Sequence, residues 1–166
     1  MLAVWVALIA AADQAVKGLV TATLSPDKSR IILPGVFSLT YQTNTGTAFS
    51  LLHDTHAALI VLLNVLVLVF FVWLVRPYLA LRMGRVAAVL VLGGAMGNLI
   101  DRILRGRVID YLSIRVSTFQ WPVFNLADTF IVIGVGLLVL LVLRVERAHP
   151  PEPVEPETEP GGATPT

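Results

Sequence analysis

Cysteine is absent from the 166-residue chain, which removes disulfides, thiolate nucleophiles and cysteine metal sites together. Histidine is nearly as scarce. His53 and His56 are three apart, but no further histidine or cysteine stands near enough in the pattern to complete a zinc site. A serine mechanism needs a base, and Ser50 has only those two histidines and no supporting motif. Charge is also short: 14% of residues are charged, against about 25% in an ordinary soluble domain. The net charge of +1 excludes the basic field that nucleic-acid binding requires. Gly93-Gly94-Ala95-Met96-Gly97 lacks the Lys-Ser/Thr ending of a phosphate loop. Neither a metal nor a cofactor is expected.

Apolar residues fill the space: 56% of the chain is hydrophobic and the mean hydropathy is +0.81. Crossing a hydrocarbon layer as helix takes about 20 mainly apolar residues. Four segments meet this: 2–24, 57–75, 86–104 and 126–144. Leu2 to Leu24 has no basic residue ahead of its apolar stretch, which argues for an uncleaved first span rather than a secretory signal. Four spans place both termini on one side of the membrane. Phe37, Leu39 and Tyr41 alternate with Ser38, Thr40 and Gln42, the period of a half-buried strand. Arg107 to Val116 is strand-like too, with Val108, Asp110, Leu112 and Ile114 on one face. Both strand-like loops lie on the same side of the bundle. The loop between spans two and three is short and basic, with Arg76, Pro77, Arg82 and Arg85.

The predicted architecture is an all-α membrane bundle of four transmembrane helices with a small β-element, over residues 1–148. Residues 149–166 form a separate tail, predicted to be disordered. From Pro150 onward it holds six prolines and four glutamates and too little apolar surface to offset chain entropy. Charge bias does not orient the bundle. Lys28, Arg30, Arg102, Arg105, Arg107 and Arg115 stand on the side of the strand-like loops, against Arg76, Arg82, Arg85, Arg144 and Arg147 on the other.

Ionisable groups at bilayer depth cost several kcal/mol unless they pair, face the interior or serve a site. Asp13 and Lys17 are four apart and share a helix face, within pairing reach. Such a pair alone would let the first span insert. Asn98, Asp101 and Arg102 also project to one side. Gly93, Gly94 and Gly97 before them permit close helix approach. Asn125 could cap the fourth span, and Asp128 follows it by three. Asp110 and Asp128 fall on the same membrane face as Asn44 and Asp101. Two carboxylates sharing a proton can activate water and protonate a leaving amine, because like charges at close range do not both ionise. A competing reading is a four-span transporter with Asp101, Asp110 and Asp128 as a proton relay, although the ionisable groups gather at one face.

Four blocks carry a resemblance. Asp13-Gln14-Ala15-Val16-Lys17 resembles the Asp-Gln-x-x-Lys of bacterial lipoprotein signal peptidases (signal peptidase II). Asn44-Thr45-Gly46-Thr47-Ala48-Phe49-Ser50 resembles their Asn-x-Gly-x-Ala-Phe-Ser, although Thr47 stands where the family often has alanine. Gly93 to Arg102 with Gly106 to Tyr111, and Phe124 to Asp128, are similar to the third and fourth blocks. The match runs in order from about residue 3 to residue 145. The resemblance implies a membrane aspartyl endopeptidase that cleaves prolipoproteins before a diacylglyceryl-modified cysteine; separately from it, the chain is expected to act as a monomer. It implies a bacterial inner-membrane location, cytoplasmic termini and an extracytoplasmic β-element at the site. Asp110 and Asp128 would be the catalytic pair. Asn44, Gly46, Asn98, Asp101, Arg102 and Asn125 would shape the site or hold substrate, with Asp13 and Lys17 in support.

Overall fold

The computed structural model describes residues 1–26, 28–44 and 57–148. Within them four helices are long and apolar enough to cross a membrane: α1 (Leu2–Thr23), α2 (Ala57–Val75), α3 (Arg82–Arg105) and α4 (Leu126–Ala148). A helix satisfies its own backbone, the condition that lipid imposes on any exposed segment. The Nδ2 of Asn64, the polar residue of α2, is likewise tied back, donating to the Ile60 carbonyl at 2.6 Å.

α3 is the hub, with α1, α4 and α2 packed around it. Its glycines set how close the neighbours come. A Cβ on Gly93 would lie 2.6 Å from Ile9 of α1, and one on Gly94 would lie 2.4 Å from the Ala127 carbonyl of α4. Further along, Ala87, Ala88 and Val91 of α3 form a buried cluster with Phe71 and Val75 of α2 and Leu138 of α4.

α3 starts at Arg82 rather than near Val86, so Arg82 and Arg85 belong to the helix and not to a loop. Hydropathy marks only the lipid-covered part of a span. The hydrogen-bond ladder continues into the headgroup region, where arginines can keep their charge in water. The same holds for α4, which runs on to Ala148. The α2–α3 link shrinks to a 3-10 turn, Arg76–Tyr78, and the few residues after it. Arg85 braces this link by donating to the carbonyls of Leu79 and Ala80 at 3.2 and 2.9 Å. At its other end α3 stops at Gly106, whose φ of 68° supplies the left-handed cap.

A four-stranded antiparallel sheet, in the order β1-β2-β3-β4, covers the end where α1 and α3 finish and α4 begins. Its strands are β1 (Ser29–Leu33), β2 (Phe37–Asn44), β3 (Val108–Val116) and β4 (Phe119–Gln120). The two strand-like loops do meet, as β2 and β3. Two features were not legible in the alternation. The stretch from Arg30 breaks into a hairpin at Pro34–Val36, where Gly35 takes φ 73°. The start of β3 is buried on both faces, because Ile109 and Tyr111 pack on Val20 of α1 while Asp110 enters a polar cluster on the other side.

The β2–β3 pairing also contains a bulge. Leu39 pairs with Leu112 and Gln42 with Asp110, so Thr40 and Tyr41 together oppose Tyr111. An extra residue in one strand flips the parity of everything beyond it. Asn44 is thereby carried onto the face of Asp110; in uninterrupted register it would point away.

Candidate active site

The polar residues of three spans converge beneath the sheet. Lys17, fully buried, has three partners: Asp13 Oδ2 at 2.7 Å, Asp101 Oδ2 at 2.8 Å and Asn98 Oδ1 at 2.9 Å. Three acceptors match the three ammonium hydrogens, which is how a buried lysine stays charged without a large net penalty. A Cβ on Gly97 would lie 2.5 Å from Asp13 Oδ2, so this glycine makes room for the pair. The Asp13–Lys17 ion pair read from the spacing is present, but it does more than neutralise α1.

The free oxygen of Asp13 accepts the backbone N–H of Ala127 at 3.1 Å, so a residue of α1 caps α4. The other early N–H groups of α4 are met as well. Leu126 donates to the Tyr111 hydroxyl at 3.2 Å, and Asp128 donates to Asn125 Oδ1 at 3.0 Å. Asp128 Oδ2 in turn accepts the Asn125 N–H at 3.2 Å, completing a reciprocal capping box. Asn125 is therefore the cap that its position suggested. Because its oxygen is committed to that cap, its amide group must point the other way.

That amide reaches Asp110 Oδ1 at 2.7 Å and Asn98 Oδ1 at 3.1 Å. Asn98 then donates to Asp128 Oδ1 at 2.7 Å. The two carboxylates, one from β3 and one from α4, are thus bridged by two asparagines, of which Asn98 is anchored to Lys17. The second oxygen of Asp110 accepts from Asn44 Nδ2 at 3.1 Å, the contact that the bulge permits. Asp101 holds the neighbouring backbone, since its Oδ2 accepts the Ile109 N–H at 3.2 Å. Arg102 donates to the Asn98 carbonyl at 3.3 Å, with its charge in the field of Asp128, Asp110 and Asp101. Its buried Nε has no hydrogen-bond partner among the described residues.

Burial raises the Asp110 carboxyl above the usual carboxylate range, and the nearby charge of Asp128 adds to this. Hydrogen bonds from Asn44 and Asn125, and the charge of Lys17, oppose the shift without cancelling it. Burial also pushes the Tyr111 phenol up to about 12, so it serves as a neutral partner for the Leu126 N–H. An open groove lined by Gln42, Thr43, Asn44, Asp110, Trp121 and Val123 leads outward from Asp110.

Of the residues singled out in the sequence, Asp13, Lys17, Asn98, Asp101, Asn125, Asp110, Asp128 and Asn44 form one connected network. Arg102 adjoins it, and Gly46 lies outside the described residues. Three members were not foreseen as site residues. Gln14 donates to the Gly97 carbonyl at 3.0 Å and to Asp101 at 3.1 Å. Arg105 donates to Gln14 Oε1 at 2.9 Å and pairs with Asp101. Tyr111 holds α4. The spacing of four between Asp101 and Arg105 could have signalled that pair. Tyr111, next to Asp110 on a strand, belongs by period to the opposite face and gave no signal.

Fold and site together define a multi-pass membrane protein whose ionisable side chains are gathered at one end into a buried acid–amide cluster. The profile of signal peptidase II matches residues 5–144. The chain is 39% identical over 140 residues to the lipoprotein signal peptidase of Syntrophotalea carbinolica, covering 82% of this chain and 87% of that one. It is 39% identical over 148 residues to that of Symbiobacterium thermophilum, covering 89% and 97%. A bacterial membrane enzyme solved by the in meso method at 1.9 Å superposes with a TM-score of 0.74 at 26% identity, covering 86% of this chain and 92% of that one. The chain belongs to the signal peptidase II family.

Proposed function

We propose that this chain removes signal peptides from prolipoproteins by cleaving before a diacylglyceryl-modified cysteine, with Asp110 and Asp128 as an aspartyl catalytic pair. The observation that carries this reading is the bridge itself. Two carboxylates on different elements are held by Asn125 and Asn98, one of them raised in pKa and opening on a groove. One ionised carboxylate accepts a proton from water as the water attacks the scissile carbonyl. The other, protonated, donates to the carbonyl oxygen and the proton then passes to the leaving amine. Asn44, Asn98 and Asn125 orient the acids, Arg102 faces the charge that develops, and Gly46, two positions after Asn44 in the sequence, is assigned to holding substrate. Family membership supports the peptidase and displaces the proton-relay reading. The test is incubation with a diacylglyceryl-modified prolipoprotein. Release of the intact signal peptide is expected, and a substrate left uncut in a folded preparation would overturn the assignment.

The raised Asp110 carboxyl has a direct consequence for pH. The shared proton is lost as pH climbs through the raised value, so activity should fall on an alkaline limb above the usual carboxylate range. Asn44 donates to the ionised form and thereby lowers the pKa. Asn44→Ala removes that donor, so the alkaline limb should move to higher pH while the maximal rate falls. A limb unchanged in position would mean that Asn44 does not act on this acid.

The reading also places the sheet and the acids outside the cytoplasm and both termini inside it. A lipid-anchored cysteine near the outer interface then lies beside the pair. Single-cysteine labelling in intact cells tests this, and the native chain has no cysteine to interfere. Ser117→Cys, in the β3–β4 turn, should react with a membrane-impermeant maleimide, and Leu81→Cys, at the start of α3, should not. The reverse pattern would put the acids on the wrong side for this substrate. The peptidase unit is taken as residues 1–148 acting as a monomer. A chain ending at Ala148 should keep its turnover and thermal midpoint, and loss of either would assign the tail a role.

A further inference from the structure

We propose a second lipid site, distinct from the peptidase site: a groove between α1 and α3 that binds one anionic glycerophospholipid at the end of the bundle remote from the carboxylates. Its walls are Leu2 and Trp5 of α1 and Val86 and Leu90 of α3, and Arg82 and Arg85 stand beside them. Both helices begin at this end, so at about 1.5 Å per residue the groove lies roughly 12–24 Å along the axes from Lys17 and Asn98. It faces the leaflet opposite the one that serves Asp110 and Asp128.

Charge identifies the headgroup. Neither α1 nor α3 has an acidic residue in its first turn. Among the described residues the acids are Asp13, Asp101, Asp110 and Asp128, all in the network at the other end, and Glu146 of α4, which does not line the groove. Nothing in the groove neutralises the two arginines. Arg85 is also held in place, since two carbonyls of the preceding link accept from it. A fixed guanidinium loses less freedom on meeting a phosphate than a mobile one, and basic pockets between spans suit anionic headgroups.

The apolar walls identify the rest of the ligand. Trp5 is 56% exposed and lies within the first turns of its helix, at the depth where an indole meets the headgroup boundary. Beneath the arginines the walls offer an acyl chain a continuous apolar surface. A packed transmembrane partner would instead favour small residues at the contact, and the walls of this groove are the larger side chains of Leu2, Trp5, Val86 and Leu90.

Trp5 reports on its own site. In a Trp73→Phe/Trp121→Phe protein it is the remaining tryptophan, as the chain has three. This protein is reconstituted in bilayers carrying a small fraction of brominated phosphatidylglycerol or, in parallel, brominated phosphatidylcholine. The anionic lipid should quench Trp5 at several-fold lower mole fraction. Arg82→Gln, at an exposed position that leaves the Arg85 brace intact, should cut that preference about fivefold, the factor expected for one basic residue near an anionic surface. Equal quenching by the two headgroups, or a preference untouched by Arg82→Gln, would overturn the proposal. Turnover at Asp110 and Asp128 is not part of this readout, so the two assignments stand or fall separately.

Discussion

Asp110→Asn and Asp128→Asn are each expected to abolish cleavage, lowering turnover by about 10,000-fold, as for residues that act as a unit. The substitution keeps the shape and removes the charge and the exchangeable proton together. Its structural cost is small by comparison. Both oxygens of Asp110 accept from amide groups, of Asn125 and Asn44, so an amide at position 110 sets one donor against another. At Asp128 the same conflict falls on Asn98 or on the Asn125 backbone. Losing one such hydrogen bond costs about 1 kcal/mol, whereas a 10,000-fold loss of rate corresponds to about 5.5 kcal/mol of transition-state stabilisation. Both variants should therefore remain folded in detergent, with thermal midpoints a few degrees from wild type, while releasing no signal peptide. More than a few per cent residual turnover in either would remove that residue from the catalytic pair.

The largest effect on stability is expected at Lys17. Lys17→Met deletes the cation shared by Asp13, Asp101 and Asn98 and leaves the carboxylates of Asp13 and Asp101 in a fully buried position. Removing one partner of a buried ion pair costs about 3–5 kcal/mol, a large part of the 5–15 kcal/mol that typically holds a protein folded. Asp101 retains Arg105, so the more exposed debt falls on Asp13, whose remaining strong contact is the Ala127 N–H. Lys17→Met should lower the thermal midpoint sharply and loosen the start of α4. Adding Asp13→Asn, which removes the unpaired charge but leaves an oxygen to cap α4, should recover part of the loss. A Lys17→Met protein as stable as wild type, or a double variant worse than the single, would show that the cluster is not held by this charge.

The sequence was informative wherever one residue type admits one physical outcome. Long apolar runs in a chain poor in charge become spans, and carboxylates within spans must find partners, so Asp13, Asp101 and Asp128 were legible as a problem requiring a solution. Helical spacing gave the Asp13–Lys17 pair and the Asn125 cap correctly, because both are local. It did not give the ends of α3 and α4, since hydropathy follows lipid contact while helical hydrogen bonding continues through the headgroup layer. Nor did it reveal the hairpin at Gly35 or the double-sided burial of β3, because alternation reports one covered face and here two are covered.

What the sequence alone determined about this protein is its set of four apolar spans, the absence of thiol chemistry, and a group of acids and amides on one side of the bundle. The tertiary structure decided how those groups are connected. Asp13 caps a helix more than a hundred positions away, and Tyr111 reaches the first N–H of the same helix from a neighbouring strand. A single extra residue in β2 turns Asn44 toward Asp110. Each of these depends on where two separate elements pack. Periodicity fixes which side of its own element a residue faces, but the partner across the gap is set by glycine-limited helix approach and by strand register.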